Sequence, residues 1–214
     1  IIIPHERYLV PYGKLDPAQA APYACSGLTS YSALKKIPKT ESDEFIVLIG
    51  AGGVGTNGIL LLPHIHDAKI IVVDTDPVKR ENARSNGVKR CFSPEEMLEK
   101  LNDFNGKIAG VIDFVGNEKT ANLALSIVKK GGTIVIVGLY GGSLSISLPL
   151  IPMRSINIKG SYVGELRELK ELVELINSKN VELIKVTKQN LNTANDAMKK
   201  LRNGDVDGRI VLEP

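Results

Sequence analysis

The sequence predicts an α/β fold, a doubly wound parallel sheet with strand order 3-2-1-4-5-6. Three observations lead there. Apolar runs alternate with helical stretches over residues 45–160, as in strands joined by crossover helices. The run Phe45-Ile46-Val47-Leu48-Ile49 leads directly into Gly50-Ala51-Gly52-Gly53-Val54-Gly55, a G-x-G-x-x-G turn with an apolar helical stretch behind it. The next run, Ile70-Ile71-Val72-Val73, ends on Asp74. A glycine hexad alone is weak evidence. Placed between strand and helix, and answered by an acid at the end of the following strand, it meets the context of a dinucleotide fingerprint.

The elements follow in order. Tyr8-Leu9-Val10, flanked by prolines and Gly13, reads as strand and turn. Asp16-Pro17 starts a helix, acid as cap and proline in the first turn. It pauses near Cys25-Ser26-Gly27, resumes at about Leu28 and stops before Pro38. After the glycine turn, Thr75-Asp76-Pro77 opens a helix that Asn86-Gly87 ends. Val88 to Phe92 is a short third strand, and Ser93-Pro94-Glu95-Glu96 a helix start with a hydroxyl cap and first-turn acids. Ile108 to Phe114 is the fourth strand; Asn117 to Lys130 is a helix closed by Gly131-Gly132. Thr133 to Val137 and Ile156 to Lys159 are the fifth and sixth strands. Glu165 to Ser178 is an amphipathic helix with Leu166, Leu169, Leu172, Val173 and Ile176 on one face. A strand at Ile184 to Thr187, a helix from about Thr193 to Arg202 and a strand from Arg209 to Leu212 complete the pattern.

Composition excludes several classes. With 43% hydrophobic and 24% charged residues, the 214-residue chain reads as an ordinary globular protein. A net charge of +3, with lysines interspersed among glutamates, gives no basic stripe for nucleic acid. No apolar run has the length of a membrane span. Ile1-Ile2-Ile3, broken by Pro4, lacks the basic start of a signal peptide. Such an opening suggests an internal part of a longer chain. Cys25 and Cys91 make no disulfide framework, so a reducing cytoplasm is the expected setting.

The glycine turn has a chemical logic. Gly50 permits the tight turn, Gly52 lets a pyrophosphate approach the backbone, and Gly55 lets helix and strand pack closely. Free N–H groups and the dipole at the helix start favour phosphate charge. Asp74 can accept hydrogen bonds from ribose hydroxyls and would repel a 2′-phosphate, which favours NAD over NADP.

Taken together, Ala20-Ala21-Pro22, Cys25-Ser26-Gly27-Leu28-Thr29-Ser30-Tyr31, GAGGVG, IIVVDTD, VIDFVG, GGTIVIVGLYG, GSYVG and Asp207-Gly208-Arg209 resemble the medium-chain, zinc-type alcohol dehydrogenase family, with an archaeal cast. The resemblance implies a Rossmann coenzyme domain at about 27–183. Residues 1–26 would be the end of a barrel-like, GroES-like catalytic domain, and 184–214 a segment returning to it. It implies NAD as coenzyme and catalytic zinc with only one ligand here, Cys25. Thr29 would contact the nicotinamide and help fix its face for hydride transfer. Gly50, Gly52, Gly53, Val54 and Gly55 would hold the pyrophosphate, with Arg209 near it. Asp74, Thr75 and Lys79 would hold the adenosine ribose. Val115, Val137, Gly138 and Leu139 would lie beside the coenzyme, and Tyr162 and Val163 at its nicotinamide end and at a subunit contact. The implied reaction interconverts alcohols with aldehydes or ketones, in a homodimer or homotetramer paired through the sixth strand. The 214 residues alone are expected to be inactive.

Other residues read more plainly. A lone cysteine is usually a buried small hydrophobe, and Cys91 is read so. His64 and His66, two apart, fall on different faces of a helix and read as cations near its C-terminus. His5 has no visible partner. Tyr31-x-x-x-Lys35 imitates the catalytic pair of short-chain dehydrogenases but precedes the glycine turn, so Tyr31 is read as packing and Lys35 as solvated. The charges of 165–171 read as a solvent face. The alternatives are a non-catalytic NAD-binding module, a zinc-free NADPH quinone or enoyl reductase, and a methyltransferase. Asp74 and Cys25 count against the reductase. Val47, Leu48 and Ile49, where a methyltransferase usually carries an acid, count against the last.

Overall fold

The computed structural model describes residues 2–104, 106–179 and 181–214. Ile1 lies outside them. Asp16 caps α1 (Pro17–Ala20), its carboxylate accepting the Ala18 N–H at 2.8 Å. A 3-10 turn at Ala21–Ala24 leads into α2 (Ser26–Lys35). There follow β1 (Phe45–Ile49), α3 (Gly53–Leu61), β2 (Lys69–Val73), α4 (Pro77–Ser85), β3 (Arg90–Phe92), α5 (Pro94–Glu99), β4 (Ile108–Asp113), α6 (Glu118–Ile127) and β5 (Thr133–Ile136). Then come α7 (Leu150–Arg154), β6 (Asn157–Gly160), α8 (Leu166–Ser178), β7 (Val186–Asn190), α9 (Ala194–Asn203) and β8 (Arg209–Glu213).

Six strands form one parallel sheet in the order β3-β2-β1-β4-β5-β6. This is the order expected from the sequence. β1 sits near the centre and is buried along its length. Its alternate residues enter opposite layers, because side chains in a strand alternate between faces. Ile46 and Leu48 join Tyr23, Leu28, Leu34 and Leu172 on one side. Phe45, Val47 and Ile49 join Met97, Phe104, Leu123 and Ile127 on the other. A strand covered on both faces needs apolar residues at every position, which is why the run FIVLI is unbroken. β7 and β8 pair separately. Lys188 on β7 ties that pair to the N-terminal segment, 3.0 Å from Asp16 and 3.2 Å from Glu213.

Several expectations are corrected. The stretch around Tyr8 is a 3-10 turn at Glu6–Tyr8, not a strand; His5 caps it by accepting the Arg7 N–H at 3.0 Å. The seventh strand begins at Val186; Ile184 is apolar because it is buried, not because it pairs. α7 is unforeseen; Pro152 lies in its first turn, where a missing N–H costs nothing. His66 does not stand at an open helix end: it is buried, its Nε2–H donates to Leu34 O at 2.9 Å, and Nδ1 lies 3.4 Å from the Thr40 hydroxyl. Lys35 is not merely solvated and Glu171 does not simply face water. They form an ion pair that Arg167 joins at 2.8 Å.

Candidate functional site

The site lies at the carboxyl end of the parallel strands, where the loops that follow β1 and β4 meet. Gly50 leaves β1 with φ +92°, a conformation L side chains rarely adopt. Gly55 faces back on the same turn: a Cβ there would lie 1.8 Å from Gly50 O. Gly52, exposed at the N-cap of α3, has nothing within 4 Å of its Cβ position. No side chain caps α3, so its first-turn N–H groups are left for a ligand.

Asp74 stands beside this turn. Its Oδ2 accepts the Ala51 N–H at 2.7 Å and its Oδ1 the Asp76 N–H at 2.9 Å. The carboxylate therefore joins the glycine turn to the loop after β2. Each oxygen keeps a lone-pair direction for another donor. Arg80 fixes the same loop from below, donating to Asp74 O at 2.7 Å and Thr75 O at 3.0 Å. Arg80 carries no mark in the sequence; only the folded loop shows that it reaches those carbonyls. Lys79 lines a cleft of about 510 Å³ with Asp76, Asn82 and the Asn203–Asp207 turn. Thr75 is exposed. Arg209, at the start of β8, crosses to the turn, its Cδ and Nη1 each 2.8 Å from the Cβ position of Gly53.

The opposite wall is built by Asp113, which sequence reasoning also missed. It is fully buried at the end of β4. Its Oδ1 accepts the N–H groups of Val115 and Gly116, both at 2.9 Å, and Oδ2 accepts the Thr120 hydroxyl at 2.7 Å. Its carbonyl accepts Val137 N–H at 2.9 Å and Gly138 N–H at 3.0 Å. The signal was present as one acid closing the apolar run IAGVID. The result is a tight seam: a Cβ on Gly138 would fall 2.1 Å from Val115 O, and Val115 Cγ2 reaches within 2.8 Å of the Cβ position of Gly50. Val115, Val137 and Gly138 thus sit together over the turn. Leu139 is 80% exposed and Tyr162 78% exposed, so neither is packed in the seam. Val163 has φ +51°, strained for a β-branched residue. A cleft of about 1050 Å³ runs alongside, lined by α5, α6 and the Tyr140–Gly142 loop.

α2 closes the site on the third side. Cys25, exposed at its N-cap, and Thr29, whose hydroxyl donates to Cys25 O at 2.7 Å, lie in its first turn. Farther along, burial and the neighbouring Glu171 carboxylate push the Tyr31 hydroxyl up to about 12. It stays protonated at neutral pH and is packing, as expected. Cys91 is buried, and burial pushes its thiol up. A catalytic zinc takes three protein ligands. Among the described residues no group of three His, Cys, Asp or Glu could hold a metal, so Cys25 and its neighbours do not fit a zinc site by themselves. The open helix start, the bare Gly52 and Asp74 do fit a dinucleotide.

Residues 53–178 match the family model described as zinc-binding dehydrogenase. The chain belongs to the zinc-binding dehydrogenase family. Among relatives, an NAD-dependent alcohol dehydrogenase of Sulfurisphaera tokodaii is 32% identical over 100% of this chain and 63% of its own length. The fold is similar to the alcohol dehydrogenase of the hyperthermophilic archaeon Aeropyrum pernix, with TM-score 0.83 and 30% identity over 92% of this chain and 58% of that one. It is also similar to acetophenone reductase from Geotrichum candidum, solved with NAD, with TM-score 0.82 and 27% identity over 94% of this chain and 57% of that one. This zinc-binding dehydrogenase chain thus spans less than two thirds of the relatives it matches.

Proposed function

We propose that these residues form the NAD-binding part of an oxidoreductase that interconverts alcohols with aldehydes or ketones. The observation that carries this reading is the uncapped start of α3, open at Gly52, with Asp74 on one side and Arg209 on the other. Bound NAD supplies a hydride acceptor at its nicotinamide. The chain's own residues do the rest. First-turn N–H groups of α3 and the Arg209 guanidinium neutralise the pyrophosphate. Asp74 takes ribose hydroxyls on its remaining lone pairs and sets NAD against NADP, with Thr75 and Lys79 beside it. Val115, Val137, Gly138 and Leu139 lie beside the coenzyme, while Thr29, Tyr162 and Val163 orient the nicotinamide.

The proposal includes residues 27–183 as the coenzyme domain and 1–26 with 184–214 as parts of a catalytic domain, in the cytoplasm. Cys25 is proposed as one zinc ligand, the others coming from outside these 214 residues; binding without turnover is then expected of this chain alone. Pairing of two copies through β6 completes the reading.

Fluorescence titration with NADH and NADPH tests it. The chain should bind NADH and prefer it to NADPH. Asp74→Ala should weaken NADH by about tenfold or more, since hydrogen bonds to a charged group contribute about 1.5–3 kcal/mol. Absence of NADH binding by the unaltered chain would overturn the reading, and NADPH preference would favour the quinone or enoyl reductase alternative. In a longer protein retaining the other ligands, Cys25→Ser should lower bound zinc measured by atomic absorption; unchanged zinc would remove Cys25 from the ligand set.

A further inference from the structure

Three buried polar side chains lie between α2 and α3, and the chemistry above uses none of them. Ser26, Ser30 and Asn57 are each at most 1% exposed. An apolar helix pair would pack there without them, and each buried polar group costs free energy unless it is bonded. The Asn57 Oδ1 has no partner among the described residues, and two of the bonds these side chains do make converge on the start of α3. The Ser30 hydroxyl lies 2.7 Å from Val54 O and 3.0 Å from Ser26 O, and its single proton serves the shorter contact. Asn57 Nδ2 donates to Gly53 O at 3.0 Å and to Ser26 Oγ at 3.2 Å, and Ser26 Oγ passes its own proton to Pro22 O at 2.9 Å.

Gly53 O and Val54 O belong to the first two peptide units of α3. A peptide unit is planar, so the carbonyl of Gly53 fixes the direction of the Val54 N–H, and that of Val54 fixes the Gly55 N–H. Those N–H groups point forward from the uncapped helix start. The side chains therefore grip the phosphate-facing peptide units from behind. A hydrogen bond accepted by a carbonyl also polarises its peptide unit and strengthens the N–H on the other side. Ser30 moreover follows Thr29 directly, so the same grip fixes α2 against α3.

We infer that Ser30 and Asn57 are positioning residues for phosphate recognition, aiming and polarising the Val54 and Gly55 N–H groups through their rear carbonyls. The inference rests on the NAD reading and deepens it. NADH, ADP-ribose and adenosine are titrated by calorimetry against the unaltered chain, Ser30→Ala and Asn57→Leu, with thermal melts alongside. ADP-ribose and NADH should weaken by about five- to tenfold in each variant, the scale of one lost hydrogen bond. Adenosine, which carries no phosphate, should bind as before, and Ser30→Thr, which keeps the hydroxyl, should restore ADP-ribose. Equal weakening of adenosine, or unchanged ADP-ribose, overturns the inference while the NAD reading stands. If the unaltered chain binds neither NADH nor ADP-ribose, both fall. Should Ser30→Ala not fold, Asn57→Leu and Ser30→Thr decide: the first must lose ADP-ribose selectively and the second must keep it.

Discussion

Gly52 and Gly55 stand three residues apart and answer to different demands. Gly55 is needed by the fold, since any Cβ would meet the backbone oxygen of Gly50 at 1.8 Å. Gly55→Ala should therefore lower stability by about 1–3 kcal/mol, as overpacking does, with a lower melting temperature in circular dichroism. Gly52 has open space at its Cβ position and an ordinary φ of −72°. Gly52→Ala should fold and melt like the unaltered chain but bind NADH several-fold more weakly, because the methyl occupies the face a pyrophosphate approaches. Unchanged NADH affinity in Gly52→Ala would move the phosphate elsewhere. The close approach at Gly55 was legible in the sequence because a glycine turn constrains backbone locally. Asp113 and Arg80 were missed although their partners are local: Asp113 accepts the N–H groups of Val115 and Gly116 in the loop that follows it, and Arg80 donates to the carbonyls of Asp74 and Thr75 a few residues before it, and no residue pattern announces which backbone groups a side chain will reach. His66 likewise gives no sign in sequence that Leu34 O lies 2.9 Å away.

At the scale of elements, the sheet follows from local pattern while the clamps between elements do not. Strands covered on both faces announce themselves as unbroken apolar runs, and helix starts as Asp16, Ser93 and Asn117 caps. Ion pairs that join distant segments carry no such signature. One example holds the entry to β1. Glu44, just before β1, pairs with Lys129, just after α6, and also accepts the Glu41 N–H at 2.9 Å. Burial alone would push the Glu44 carboxyl up; Lys129 and the Glu41 N–H outweigh it and hold the group below its ordinary 4.5. A carboxyl lowered on folding stabilises above its unfolded value, and that stability is lost as pH falls through the folded value. Lys129→Met should thus lower the melting temperature at pH 7 by about 2–4 °C, the shift expected for about 1 kcal/mol in a chain of this size. The gap between the two proteins should close as pH drops below 4.5 toward the lowered folded value. A gap of equal size at pH 7 and in that acid range would show that Lys129 acts through its packing alone.

At the scale of the whole molecule, β6 is the last strand of the sheet and all four of its residues are exposed. Open edges invite pairing with another strand. Here the edge carries no proline and no bulge, and Ile158 is 42% exposed at its middle. The hydrogen-bond phase shows which groups are free. Asn157 N–H donates to Gly132 O at 3.0 Å and Ser161 N–H to Ile136 O at 2.9 Å. Odd-numbered residues of β6 therefore bond inward to β5, and the backbone groups of Ile158 and Gly160 point outward. Ile158→Pro removes one outward N–H without touching an inward bond. If two copies join through this edge, the change should convert a dimer to a monomer in light scattering, with NADH affinity retained because the turn after β1 lies three strands away in the sheet order. A dimer unaffected by Ile158→Pro would place the interface elsewhere, and a monomeric unaltered chain would show that the edge alone does not hold two copies together.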